Sequence, residues 1–249
     1  MNTNNDNDKN DKIDNGNVTN SNDSDKTTHK KILITIYINF FGGVSSGKTT
    51  MADALKLALK MLRFDVESVH EHVKVLVYND LFAQLNDQHE ISRKTYKDIE
   101  MYNGKISYVV CESPIAQGIY YLKHNKFNDS PLEETRAAIM DWHNEFHTVN
   151  ILLTRNHEYQ TEGRVQSEAQ AKEMDVHIKE LLDDNNIPYH TMTSDIHNIP
   201  SIVKLMLECR KKLDTHDVPE INGEAIKMSA NKIVEELIDV VAKCKRSTT

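Results

Sequence analysis

The chain has 249 residues and a formal net charge of −8, from 38 acidic against 30 basic side chains. That length suffices for one α/β domain with appendages, and the diffuse negative charge argues against a dedicated nucleic-acid surface, which needs a basic patch. Cys111, Cys209 and Cys244 lie far apart without CxxC spacing, which excludes a disulfide framework or a cysteine zinc site and predicts reduced thiols in a cytoplasmic protein.

Residues 1–29, rich in Asn and Asp, hold almost nothing that could bury area and predict a disordered tail without the apolar core of a secretion signal. From Lys31 the texture changes. Ile32 to Phe41, "ILITIYINFF", is β-branched and aromatic and stops at Gly42-Gly43, so it predicts a central strand. It is half the length needed to cross a bilayer, and no membrane association is expected. Thr49 to Leu62 carries Met51, Leu55, Ala58, Leu59 and Leu62 at the spacing of one helical face. Further strands are predicted at Phe64 to His70, Ile106 to Pro114, His147 to Arg155 and Ile187 to Asp195. A helix with the stripe Ala171, Met174, Ile178, Leu181 and Leu182 lies between the last two. Apolar strands alternating with helices predict an α/β fold: a parallel five-stranded sheet flanked by helices in a three-layer sandwich. Residues 30–217 form this domain, and 218–249 form a helical appendage, with a helix from Gly223 to Val241 whose apolar side is Ile226, Ile233, Leu237, Val240 and Val241.

The segment "GGVSSGKTT" (Gly42, Gly43, Val44, Ser45, Ser46, Gly47, Lys48, Thr49, Thr50) matches G-x-x-x-x-G-K-[ST] in full, between a strand and an amphipathic helix. Glycines let successive N–H groups point at phosphate oxygens, and the helix beginning at Lys48 adds the positive end of its dipole. The Lys48 ammonium suits β- and γ-phosphates, and the Thr49 hydroxyl suits Mg²⁺. Glu112, directly after "YVVC", stands at the carboxyl end of a strand, where a carboxylate completes a metal's shell.

Glu71 leaves the second strand at the same edge and suits a general base or a sugar contact. Lys74, one turn on, can neutralise an acidic substrate, while His70 and His72 read as bystanders. In "LLTRNHEYQTEGRVQSEAQ", Arg155 leaves the fourth strand and Arg164 follows Gly163, before a helix that "SEAQ" opens. Arginine forks suit charge developing on a transferring phosphoryl group, and a glycine-containing segment there can close as a lid.

The order of cradle, Glu71, "CESP" and "TRNHEYQTEGRVQSEAQAKEMDVHIKELLDDNNIPY" resembles the NadR-type AAA-like domain family, which includes ribosylnicotinamide kinase domains and phage and bacterial ATPase-like proteins. It is similar, more distantly, to nucleoside and nucleotide kinases. The resemblance spans Lys31 to Ser194 and implies the P-loop NTPase fold and nucleotide contacts at Gly47, Lys48, Thr49 and Thr50. It implies a substrate- or metal-facing carboxylate at Glu112, where relatives carry Asp-Ser-Pro, and lid arginines at Arg155 and Arg164. Asp87-Gln88, where relatives often show Gln, reads here as loop. Together these point to ATP and Mg²⁺ as cofactors and to a kinase acting on a small-molecule acceptor of nucleoside, nucleotide or ribosylnicotinamide type. A regulatory ATPase or GTPase acting through a protein partner, and a polynucleotide 5′-end kinase, are the alternatives. No guanine-selecting NKxD occurs, which tilts toward ATP; the sequence identifies no protein partner.

Overall fold

The apolar run becomes strand β1 (Ile36–Phe41), buried at every position. The computed structural model describes residues 33–156, 159, 167–213 and 223–246; the predicted tail at 1–29, Ile32 and Arg164 lie outside the described residues. Four more strands follow: β2 (Val66–Val69), β3 (Tyr108–Cys111), β4 (His147–Thr154) and β5 (His190–Thr193). They pair in the order β2-β3-β1-β4-β5, and every pairing is parallel. β1, the first strand in sequence, therefore sits in the middle, and the chain crosses from β3 over β1 to β4. Ligands of open α/β sheets collect outside the carboxyl ends at such a reversal.

Eight α-helices are described. These are α1 (Lys48–Met61), α2 (His72–Tyr78), α3 (Gln88–Glu100), α4 (Gly118–His124), α5 (Leu132–Asn144), α6 (Glu168–Asp184), α7 (Ile199–Leu213) and α8 (Gly223–Arg246). Successive β1 side chains serve opposite faces. Ile36, Ile38 and Phe40 join α1, α7 and α8 in one core, while Tyr37 and Phe41 join α3, α4, α5 and α6 in the other. The fold is thus an α/β three-layer sandwich around a parallel five-stranded sheet. Each fully buried Leu or Ile contributes roughly 1.5–3 kcal/mol, and both layers are lined with them. From α8, Ala230, Ile233 and Val234 enter the first core, with Ile226 and Leu237 against its edge; the side chains of Val240 and Val241 lie outside the described residues. No helix among the described residues is long and apolar enough to cross a membrane.

The strands are shorter than the apolar runs. At the start of β1, the Thr35 hydroxyl donates to Ile106 O at 2.7 Å and accepts from the Gly104 N–H at 2.9 Å, which holds that residue to the neighbouring loop. β5 is an edge strand with His190, Thr191 and Thr193 exposed, not the continuous apolar run of a central strand. Asp87-Gln88 is not loop: Asp87 accepts from the Glu90 N–H at 2.9 Å as the cap of α3, and Gln88 is its first, buried residue. α6 opens with the reciprocal pair that "SEAQ" announces, Ser167 Oγ accepting from the Gln170 N–H and Gln170 Oε1 from the Ser167 N–H.

One buried group ties the fold to pH. His143, on the inner face of α5, is 6% exposed, and burial pushes its imidazole down to about 4. The unfolded chain therefore takes up a proton near pH 6.5 that the folded chain refuses until about 4, so this contribution to stability is complete at neutral pH and is lost as pH falls through that window. We expect the wild type to lose about 2–3 kcal/mol more than His143→Gln between pH 7 and pH 4.5, read from urea unfolding midpoints. Equal losses would show that His143 does not control acid stability.

Candidate functional site

Gly42 to Gly47 wrap the loop from β1 to α1. Gly47, with φ 89°, occupies the left-handed region as the residue before the helix, a conformation only glycine adopts without cost. No side chain caps α1 and no acid stands in its first turn, so its N-terminal N–H groups and dipole are left to an anion. Gly43 is required by close approach: a Cβ there would meet Asp175 Oδ1 at 2.5 Å and Ala171 O at 2.9 Å. The Lys48 ammonium lies over the loop and donates to Gly42 O and Gly43 O, both at 2.8 Å. Burial pushes it down to about 8, against the opposing pull of Glu71 and Asp175. Gln117, just before α4, accepts from the Gly42 N–H at 3.3 Å.

Beside the cradle, Glu112 directly follows β3 and is 5% exposed. Its Oε2 accepts from the Thr49 hydroxyl at 2.5 Å and the Lys74 ammonium at 3.2 Å. Its Oε1 accepts from the Glu71 N–H at 3.3 Å and lies 3.4 Å from His70 Nδ1. Burial alone would raise this carboxyl; the hydrogen bonds from Thr49, Lys74 and the Glu71 N–H, with the Lys74 charge, outweigh it and hold the group below the ordinary carboxylate range. Glu71 is the residue before α2, and its carboxylate stands 3.8 Å from Lys74. Tyr121, on α4, feels burial first and the Glu71 charge second, and both raise its phenol.

Arg155 is placed on the other flank of the cradle. Its Nε donates to Asp175 Oδ2 at 2.8 Å, its Nη1 to Val44 O at 2.5 Å, and its Nη2 to Ala171 O and Asp175 Oδ1, both at 3.1 Å. Asp175 Oδ1 also accepts from the Gly43 N–H at 2.7 Å. The fold therefore brings Lys48, Thr49, Glu71 and Glu112 to one sheet edge and fixes Arg155 to the cradle backbone through α6. The sequence had not marked Asp175, Gln117 or Tyr121 as site residues. Asp175 carries a readable signal, an acid directly after Met174 and beside the buried stripe of α6.

Next to Glu71 a cavity of about 220 Å³ opens between α2 and α3, lined by His72, Leu76, Gln84, Asp87, Glu90, Ile91 and Lys94. His72 Nε2 is buried without a hydrogen-bond partner. An orphaned imidazole nitrogen beside the aliphatic Leu76 and Ile91 is available to a ligand's hydrogen-bonding group.

The donor set fits a phosphate-bound Mg²⁺. Thr49 and Glu112 offer one hydroxyl and one carboxylate, already bridged by a cation of the chain's own, the Lys74 ammonium. Among the described residues no group of three or more His, Cys, Asp or Glu side chains is placed to hold a metal without help. Mg²⁺ is commonly held in this way, by one or two protein oxygens with the rest of its shell from phosphates and water. Cys111 is no nucleophile: within β3, burial pushes its thiol up to about 12.

Comparison with known proteins adds the following. A family model described as AAA domain matches residues 37–198. A search of curated proteins finds no match. Among solved structures, M. mycoides deoxyadenosine kinase, bound to the products dCMP and a flexible dCDP, is similar at 13% identity and a TM-score of 0.42, over 72% of this chain and 100% of that one. The protein APE1195 is similar at 14% identity and a TM-score of 0.28, over 83% of this chain and 97% of the other.

Proposed function

We propose that this chain, which belongs to the AAA domain family, binds ATP with Mg²⁺ and transfers the γ-phosphoryl group to a hydroxyl or phosphate of a nucleoside-, nucleotide- or ribosylnicotinamide-like small molecule. The observation that carries the reading is the gathering of Lys48, Thr49, Glu112 and Glu71 at one sheet edge, with a cavity of about 220 Å³ beginning at the residue after Glu71. A nucleotidase needs only the cradle; a carboxylate beside it, next in sequence to a residue that lines a separate cavity, suits an acceptor.

In this reading Gly42 to Thr50 receive the phosphates, with the α1 N-terminus and Lys48 opposing their charge. Thr49 and Glu112 would hold the cation, which would supply charge neutralisation at the phosphates. Glu71 orients the acceptor and accepts its proton. Arg155 stabilises developing charge from the cradle's flank, fixed there by Asp175, and Arg164 is assigned the same role from the segment that precedes α6. Positioning and electrostatics supply most of the rate in such transfers.

The test is incubation with ATP and Mg²⁺ against nucleosides, nucleotides, ribosylnicotinamide and an oligonucleotide, with mass spectrometry of what gains one phosphate. One phosphorylated product class is expected among the small molecules, and ATP turnover indifferent to every acceptor overturns the proposal. The pH profile has a fixed sign. Lys48 loses its proton near pH 8 in the free protein, so kcat/KM should be level below that pH and fall up to tenfold per unit above it. Lys48→Arg should remove this alkaline limb.

A second reading has one observation in its favour. Val75, Tyr78, Leu81 and Phe82 form an exposed apolar run beside the site, with Tyr78 85% exposed, which suits a regulatory ATPase or GTPase docking a protein partner. It predicts acceptor-independent turnover that Tyr78→Ser uncouples from that partner.

A further inference from the structure

Thr49 and Glu112, the pair assigned above to the cation, are already bridged by one of the chain's own cations. Lys74 Nζ lies 3.2 Å from Thr49 Oγ1 and 3.2 Å from Glu112 Oε2, while those two oxygens are 2.5 Å apart. Lys74 comes from α2, a seven-residue helix anchored beside Glu112 by the Glu71 N–H. Its side chain is 40% exposed, whereas that of Glu112 is 5% exposed. The ammonium therefore has solvent to turn into, whereas the carboxylate is enclosed.

We propose that Lys74 is an internal competitor for the divalent cation: it occupies the Thr49–Glu112 oxygens in exchange with the metal, and its withdrawal couples metal loading to Glu71. The inference rests on the metal role assigned to Thr49 and Glu112 under the proposed function. A cation held by those oxygens would share them with the ammonium, and two like charges within about 5 Å repel strongly in a partly buried site. Lys74 has a second acid within reach, since Glu71 Oε2 stands 3.8 Å away. Shifting from Glu112 to Glu71 keeps the ammonium paired. It also changes the charge around the carboxylate that faces the acceptor, so the metal and the acceptor are linked through one side chain. Without metal, the same ammonium supplies positive charge at the cradle and supports the metal-free nucleotide.

Both effects move one thermodynamic quantity in the same direction. That quantity is the ratio of nucleotide affinities with saturating Mg²⁺ and with excess chelator, the coupling between metal and nucleotide. The probe is a fluorescent non-hydrolysable ATP analogue bound to the full chain, so the readout is binding and not turnover. Lys74→Met, which keeps the length and removes the charge, should raise the ratio about fivefold, the upper end of the effect of one exposed ion pair. Lys74→Arg, which keeps the charge, should stay within about twofold of wild type. Glu112→Gln should bring the ratio close to one. A ratio unchanged in Lys74→Met, with Glu112→Gln still erasing it, overturns the competition and leaves the metal assignment standing. A ratio near one in the wild type and in Glu112→Gln alike overturns the metal assignment and this inference with it. Failure of the analogue to bind under either condition overturns the reading of the cradle itself.

Discussion

Lys48→Met is expected to lower kcat/KM for phosphoryl transfer about a thousandfold while leaving the chain folded. The ammonium is a partly buried positive charge laid over the cradle backbone, and a preorganised donor of this kind is worth about 3–4 kcal/mol of transition-state stabilisation. The fold pays little for losing it. Burial depresses Lys48 to about 8, which means that its surroundings already disfavour the charged form, and methionine fills the same length without a charge to desolvate. Against this, Gly42 O and Gly43 O lose a donor. The two effects nearly offset, so the urea midpoint should correspond to within about 1 kcal/mol of wild type. Steady-state kinetics and unfolding on the same preparation decide the matter. Activity within tenfold of wild type sinks the catalytic assignment. A variant that loses activity by unfolding shows instead that Lys48 is a structural tie.

The parts of the fold that can be read from sequence are those where one physical demand dominates. β1, β3 and the middle of β4 are buried on both faces and so appear as nearly continuous apolar runs, broken in β1 and β4 by one asparagine each, Asn39 and Asn150, which bond each other at 2.9 Å. α6 shows its stripe because all five of its buried positions are apolar. α3 and α5 are harder to locate, because their buried faces carry polar groups: Gln88 and Ser92 in α3, Thr135 and His143 in α5. Gln88 and Ser92 satisfy each other by a hydrogen bond of 2.9 Å, a solution that exists only once the helix has formed.

The same division holds at the site. The cradle is local in sequence, so its spacing alone brings Lys48 and Thr49 to the end of β1. Glu112 is legible because a carboxylate directly after a buried strand must emerge at the sheet edge. Lys74 is different. Its contact with Thr49 spans 25 residues and that with Glu112 spans 38. It depends on the register of β2 against β3, which pairs Val69 with Cys111 and so sets α2 beside the residue after β3. No local pattern encodes that register.

Asp175→Ala is expected to produce the largest loss of stability of any substitution near the site. The Arg155 guanidinium is 11% exposed, and its paired contacts to Asp175 are the only carboxylate bonds among its described interactions. Removing the acid leaves a nearly buried charge with backbone carbonyls alone and strands the Gly43 N–H, which donates to the same oxygen. Breaking one partner of a buried pair costs about 3–5 kcal/mol; since Asp175 is itself 27% exposed, water recovers part of this, and about 2–4 kcal/mol is the expected loss. Asp175→Asn separates the two duties. Its amide oxygen still accepts from Gly43, while the charge opposite Arg155 is gone, so it should cost about half as much. Arg155→Ala in the Asp175→Ala background should add little, because the uncompensated charge is what destabilises the single variant; a coupling of about 1–3 kcal/mol is expected in the double-mutant cycle. Nucleotide affinity should fall with both single variants, since Val44 O and the Gly43 N–H are cradle backbone held in place by this pair. If the unfolding free energies of Asp175→Ala and Arg155→Ala simply add, the pair is not a unit. The cradle would then owe its shape to Gly47 and α1 alone, without the brace from α6.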